Sequence, residues 1–411
     1  MQSHKSPKFI YFSTLDFDSV FKTQVIGWVD LYRDHGLDFA IVKVAPIKYV
    51  FKRKKRKAEK RGIRKLYNGE LTFLYTFPER IWLGQMLNVV LMMSILLKSG
   101  IGRRNVTMQI RSAAFHRSLN KVKKIIGRRF RVIYDSRAAA AEEFLYNNNN
   151  IDFPAIKDKY EAIKRDDHEM VRISNRVFCV SNELIRYHEQ LTDQSINNGK
   201  FFLYPCSADQ RFFYFDEQLR ENMRNQLGIK DKFVIVYSGG LEMKWHVPDL
   251  LFNFFRQVDS SLPNAFFMVL TNDIELGQRH FERFGISEKN YLVRSADNRE
   301  VHKYLNAADL GTLLRENHMM NKVASPTKFA EYLMCGLSVV ITPGVGDFSA
   351  LVQEYSWGFI YSNGSLDPSR LEQLQSRVGN ELRRKISRYG RAHFSKQSRL
   401  NEILEVYSQL S

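Results

Sequence analysis

Short apolar runs rich in β-branched and aromatic residues alternate along the whole chain with longer stretches whose apolar positions recur every three or four residues. The first pattern fits buried strands and the second amphipathic helices. In the first half, strands are expected at Lys8–Ser13, Phe39–Val44, Leu71–Phe77, Val106–Ile110, Arg131–Tyr134 and Val177–Val180. Helical patterns run from about Ser19 to His35 and from about Pro78 to Lys98, and others follow the later strands. The rhythm restarts at Phe233–Tyr237 and continues through Ala265–Leu270, Tyr291–Arg294, Leu310–Leu314, Ser338–Thr342 and Gly358–Tyr361. Residues 365–411 read as helix with a break near Gly390. Strands alternating with helices predict an α/β protein with a mostly parallel, doubly wound sheet in each half. Such sheets bind ligands outside the carboxyl ends of their strands, so a cleft between two facing halves is the expected site.

At 411 residues the chain is too long for one compact core. The small and polar stretch Pro205–Arg211 marks the boundary. We expect domains at 1–208 and 209–390, with a last helix over 391–411 packing back toward the first. Cys179, Cys206 and Cys335 show neither a disulfide framework nor a metal spacing, and no secretory leader pattern opens the chain. Both point to a cytoplasmic setting.

Charge separates the halves. Residues 1–210 hold 37 Lys and Arg against 21 Asp and Glu, whereas residues 211–411 hold 25 against 23. Lys52–Lys65 alone carries ten basic residues opposed only by Glu59, and Lys121, Lys123, Lys124, Arg128, Arg129 and Arg131 form a second group. Such a field draws nucleic acid, anionic head groups or phosphorylated substrates, unless the run is merely a solvated loop. Nucleic acid fits poorly, because the run is almost free of aromatics and half the chain carries little excess charge. Ile81–Leu97, which follows, is apolar almost all round. At 17 residues it is marginal for crossing a bilayer, and it reads as a buried helix or an interfacial one. Basic residues plus an apolar surface are the two signals of peripheral anchoring. The expected partner is then an anionic membrane surface, met through Lys52–Lys65 and the neighbouring helix on the inner face of the cell membrane.

The most informative motif is Ser325-Pro326-Thr327-Lys328-Phe329-Ala330-Glu331. Ser325 is expected at the N-cap and Pro326 at the first helical position. Free amides there, with Thr327 in the first turn, make an anion site, and Lys328 adds a point charge for a diphosphate. Glu331, three residues on, can accept hydrogen bonds from ribose hydroxyls. A capped helix with a surface Lys–Glu pair has the same spacing, and spacing alone leaves both open. Tyr237-Ser238-Gly239-Gly240-Leu241-Glu242-Met243-Lys244 is a second candidate. Its glycines permit close backbone approach to a phosphate and Lys244 offers a counter-charge, although glycines in such turns are often structural.

In the first half, Ile133-Tyr134-Asp135-Ser136-Arg137 ends a strand and is expected to open toward the cleft. Asp135 with Arg137 can orient an acceptor hydroxyl or steady departing phosphate, or can be a helix cap with a structural ion pair. Arg111, at the end of Val106–Ile110, is a similar candidate. Asp16-Phe17-Asp18 has the form of a metal-binding pair, but Asp18 is well placed to cap the next helix. His116 as a lone histidine reads as solvated or core.

Together these segments resemble the family 4 glycosyltransferases, above all bacterial members that build surface polysaccharides. The resemblance covers essentially the whole chain. It is carried by Ala307-Ala308-Asp309-Leu310-Gly311 through Leu313-Leu314-Arg315-Glu316, by Val323-Ala324-Ser325 through Leu333, by Gly344-Val345-Gly346-Asp347, and by Tyr204-Pro205-Cys206-Ser207-Ala208-Asp209. It implies the GT-B architecture, with two Rossmann-like domains facing across a cleft. It also implies that Glu331 holds the donor ribose, that Lys244 and Lys328 contact the diphosphate, and that transfer is retaining and uses no bound metal. The loop at Asp135–Arg137 would lie near the acceptor. Two departures stand out. The family's donor motif commonly has a first glutamate eight positions before Glu331, where this chain has Val323, so that role is vacant or has passed to a neighbour such as Asn321. Many members also carry Arg where this chain has Gly240.

The expectation is therefore a glycosyltransferase that uses a UDP- or GDP-type sugar and no other cofactor, acting on a lipid-linked polysaccharide or glycan acceptor. A nucleotide-sugar epimerase or hydrolase on the same frame, and a non-catalytic sugar-nucleotide or polyanion-binding protein, are the alternatives.

Overall fold

A computed structural model of the chain describes residues 8–148, 153–192, 199–242, 245, 247–297 and 299–410. They divide into two compact units: the residues up to Tyr204 together with those from Glu402 onward, and Pro205–Asn401.

In the first unit the strands are β1 (Lys8–Ser13), β2 (Asp38–Pro46), β3 (Glu70–Thr76), β4 (Val106–Ile110), β5 (Phe130–Ser136), β6 (Arg176–Cys179) and β7 (Phe201–Leu203). They form a parallel sheet in the order β3-β2-β1-β4-β5-β6-β7. Strands covered on both faces must be apolar throughout, and every residue of β1 is buried. Even Lys8 is enclosed, its ammonium 2.7 Å from both Asp38 and Glu70. Strand β7 was not anticipated, because three residues are too few to show a period.

The connecting helices used below are α1 (Gly27–Asp34), α2 (Arg53–Leu66), α3 (Trp82–Lys98), α4 (His116–Ile126), α5 (Pro154–Ile173) and α6 (Asn182–Thr192). The chain steps one way from β1 to β3, then reverses and steps the other way from β4 to β7. Right-handed crossovers therefore place α1 and α2 on one face of the sheet and α3 to α6 on the other. Side-chain contacts agree. Phe39 and Lys43, both on one face of β2, meet Tyr32 of α1 and Glu59 of α2. Phe12, facing the other way on β1, meets Phe115 just before α4.

This arrangement corrects one expectation. The basic run and the apolar helix are neighbours in sequence, yet they lie on opposite faces and do not make one surface. Nor is the run a loop, since most of it is α2, which buries Glu59 and Ile63. Helix α3 is neither fully buried nor fully exposed. Asn88, Val89, Met92, Ile95 and Leu96 turn inward, while Trp82, Leu83, Val90 and Leu97 stay more than half exposed.

The second unit holds β8 (Phe233–Ser238), β9 (Ala265–Leu270), β10 (Tyr291–Arg294), β11 (Leu310–Leu313), β12 (Ser338–Ile341) and β13 (Gly358–Ile360). Their order is β10-β9-β8-β11-β12-β13, again parallel and again reversed once. Its helices include α7 (Glu217–Leu227), α8 (Thr327–Met334) and α9 (Asn380–Phe394), and α10 (Lys396–Gln409) ends the chain. Gly390 does not break the helix as expected. It sits inside α9, where a Cβ would come within 2.8 Å of Leu333 C and Met334 N, so its bare backbone lets α9 close onto α8. The break falls at Ser395, where Ala208 N bonds to Phe394 O and Lys396 N bonds to Ala208 O. The last residues of α10 belong to the first unit, where Tyr407 packs on Phe9 and Tyr32.

One carboxylate organises the base of the second sheet. Asp309 accepts from Arg220 Nη2 at 2.5 Å, Arg224 Nη1 at 3.1 Å and Val234 N at 2.8 Å, and the buried Arg383 stands 3.7 Å away. Removing the charge would leave three guanidinium groups, two of them buried, without their counter-ion. Asp309→Asn is expected to lower stability by about 3–5 kcal/mol. Urea unfolding of the variant against wild type measures this.

Candidate functional site

Strand order in the second sheet reverses between β8 and β11, so the crevice lies at their carboxyl ends. Those ends are Ser238-Gly239-Gly240 and Leu314-Arg315. Tyr332 docks α8 there. Its hydroxyl receives a bond from Ser238 N at 3.1 Å and donates to Thr312 O at 3.4 Å, and its ring occupies the space that a Cβ on Gly311 would need. One turn earlier on the same helix face is Lys328. Its ammonium passes beside Gly239, whose φ of 146° and missing Cβ leave the room; any side chain there would overlap Lys328 Cε and Nζ. Lys328 Nζ lies 5.3 Å from the centre of the Tyr237 ring, and Tyr237 donates to Gly240 O at 2.7 Å.

The electrostatics are unbalanced. Burial pulls the Lys328 ammonium down to about 7; nearby Arg315 pulls the same way and Glu331 opposes. Burial pushes the Glu331 carboxyl up to about 7, against the pull of Lys328. Burial also lowers Arg315. Among the described residues, neither Lys328 Nζ nor the Glu331 carboxylate makes a hydrogen bond or a close ion pair. Two crowded cations beside a glycine turn and a helix N-terminus can hold a diphosphate, and a carboxylate one turn in can take hydroxyl donors. Sequence reasoning placed Arg315 in the resembling block without giving it a role. A single arginine after a strand has no spacing signal, and only the fold brings it close to Lys328.

Other expectations change. Ser325 is not the N-cap: Pro326 holds that position, and the Ser325 hydroxyl instead accepts from Cys206 N at 3.1 Å. Thr327 begins α8 and is half-buried. Val323 is wholly buried in the core. Asn321 has no free group with which to replace a glutamate there, because its amide donates to Glu316 O at 2.9 Å and accepts from Arg315 at 3.4 Å. Lys244 lies outside the described residues.

In the first unit, Tyr11, Gln109 and Asp135 project from β1, β4 and β5 onto the same face. Asp135 does not open outward as expected. It is fully buried and accepts from Tyr11 at 2.5 Å, Gln109 at 3.0 Å and Arg137 Nε at 2.5 Å. Burial raises its carboxyl, but Arg137 and then Arg111 outweigh that and hold it below its ordinary value. The Arg137 guanidinium lies 4.4 Å over the Tyr204 ring. Asp135 is thus a positioning group for Arg137. Arg111, at the switch point beside β1, keeps a buried Nη1 with no partner among the described residues. Asp18 caps the next helix by accepting from Phe21 N, and His116 faces Asp166 at 3.6 Å; both have structural partners.

The sign of the Glu331 shift gives a prediction. Its folded value, about 7, exceeds the ordinary 4.5, so the neutral acid is the form the fold tolerates. That stability is fully present below pH 4.5 and is lost as pH rises through 7. Glu331→Gln, neutral at every pH, is expected to raise the Tm of the free protein by about 3 °C at pH 8 and to leave it unchanged at pH 4. Calorimetry at the two pH values checks this.

No family model matches the chain, and no curated protein matches it. Solved structures do. HepE of Anabaena, determined with UDP, is 14% identical with a TM-score of 0.66, covering 98% of this chain and 100% of that one. A glycosyltransferase of Rickettsia africae is 12% identical with a TM-score of 0.70, covering 98% of each chain. The lipopolysaccharide outer core galactosyltransferase WaaB is 11% identical with a TM-score of 0.63, covering 98% of this chain and 100% of that one. At such identities the likeness shows the fold: this chain has the two-unit α/β fold of the GT-B glycosyltransferases.

Proposed function

We propose that the protein is a glycosyltransferase that takes a sugar from a nucleoside diphosphate bound at Gly239, Gly240, Arg315, Thr327, Lys328 and Glu331. The observation that carries this reading is the pair of crowded cations, Lys328 and Arg315, beside a glycine turn at the switch point. UDP in the Anabaena structure supports a uridine or similar donor. In this reading Lys328, Arg315 and the α8 N-terminus stabilise the diphosphate as it gains charge on leaving, the moment at which fixed positive groups contribute most. Glu331 takes the ribose hydroxyls. The acceptor meets the first unit, where Arg111 and Arg137 offer guanidinium groups at the carboxyl ends of β4 and β5. A lipid-linked glycan, with the protein peripheral on the inner membrane face, is the acceptor that fits the basic first half. The sequence resemblance favours retention and a role in surface polysaccharide synthesis.

Thermal shift with UDP, GDP, ADP and CMP tests the donor site. One nucleotide is expected to raise the Tm selectively, and Glu331→Ala to abolish most of the rise; no shift with any nucleotide at millimolar concentration would sink the reading. Protonation gives a second test. At pH 8 the free Lys328 amine is largely neutral, and a bound diphosphate favours its charged form. Binding should therefore take up protons, so the calorimetric binding enthalpy depends on the ionisation enthalpy of the buffer. Lys328→Met should remove that dependence.

A further inference from the structure

The residues of α3 that face away from the sheet are Trp82, Leu83, Met86, Leu87, Val90 and Leu97, each between 36% and 69% exposed. Their spacing forms one continuous stripe along the helix. Helix α4 extends it. Lys121 lies beside the stripe, its ammonium 2.8 Å from Gln85 Oε1 and 3.9 Å from Met86 Sδ, and one turn further Ile125 is 62% exposed. From Arg80 to Tyr134 the chain has twelve Lys and Arg and not one Asp or Glu. Of these, Arg80, Lys98, Arg103, Lys124, Arg128 and Arg129 are exposed.

Helix α2 differs. It carries more charge, but its apolar Ile63 is turned inward, and the large apolar side chains left exposed at its ends are Phe51 and Leu66. It has cations without an apolar stripe, on the opposite face of the sheet. Stable adsorption to a bilayer needs both signals on one surface, with apolar groups at the acyl boundary and cations at the head groups. No helix among the described residues is long and apolar enough to cross a membrane, so α3 would lie along the surface.

We propose that the α3–α4 face, and not the basic run on α2, is the surface by which this protein lies on an anionic lipid bilayer. This rests on the membrane-peripheral reading above and commits it to one face. The apolar stripe and its cationic rim, where the two bordering carboxylates are taken up, Glu79 by Asn88 and Ser118 and Asp166 by Arg117, are complementary to anionic head groups over acyl chains.

The test is co-sedimentation of the full chain with phosphatidylcholine vesicles, with and without phosphatidylglycerol. Wild type is compared with a Trp82→Ser/Val90→Ser variant and a Lys54→Ser/Lys57→Ser variant. The nucleotide-induced Tm shift of each variant checks that its fold and donor site are intact. Binding to the anionic vesicles is expected to fall about tenfold or more in the α3 variant and less than about threefold in the α2 variant. The reverse ranking would overturn the proposal while leaving the membrane reading in place. Failure of wild type to bind either vesicle would overturn both. Concentration-dependent self-association of wild type, lost in the α3 variant and without lipid binding, would reassign the face to an interface between copies of the chain.

Discussion

Each sheet reverses its strand order once, and most of what is particular to this protein follows from that constraint. Because crossovers between parallel strands are right-handed, the reversal decides which helices share a face. It also opens a crevice between β1 and β4 in one unit and between β8 and β11 in the other. In the first unit the same rule separates α2 from α3, although only the strand β3 lies between them in sequence. In the second it brings Gly239 and Arg315, far apart in the chain, to the same edge.

The arrangement around α8 carries an electrostatic cost. Lys328 is drawn toward neutrality and Glu331 toward the protonated acid, both mainly by burial. Groups left this way cost the free fold stability, which a bound ligand of complementary charge can return. The surrounding structure tolerates the cost because α8 is held independently. Tyr332 ties it to β8 and β11, Gly390 lets α9 close on it, and the arginines around Asp309 secure the opposite end of the sheet. By contrast Asp135 is satisfied on every side, and its contribution is the placement of Arg137.

The elements were legible where local pattern suffices. β1, β4, β9 and β10 have the limits expected of them, because each is a short apolar run bounded by polar or turn-forming residues. β7 was not legible, being three residues long. The helix that carries Lys328 and Glu331 follows from the Ser-Pro start in the sequence, but the Ser325 cap does not form. A serine before proline suggests a cap until the Cys206 amide, more than a hundred residues away, claims its hydroxyl. Gly390 failed for a related reason: glycine weakens a helix locally, yet here it serves a neighbouring backbone.

Hydrophobic periodicity and turn chemistry act over a few residues, and by themselves they determined the α/β class, the alternation of strands and helices, the division of the chain near Pro205 and the candidate donor motif. Which side chains come to share one environment depends on strand order and crossover hand, which no local pattern encodes. Tertiary structure alone therefore decided that Arg315 joins Lys328, that Asp135 is buried among Tyr11, Gln109 and Arg137, that Asn321 is spent, and that the basic helix and the apolar helix face opposite ways. The physical reason is that burial, which sets both protonation and exposure, is a property of the packed neighbourhood and not of the residue.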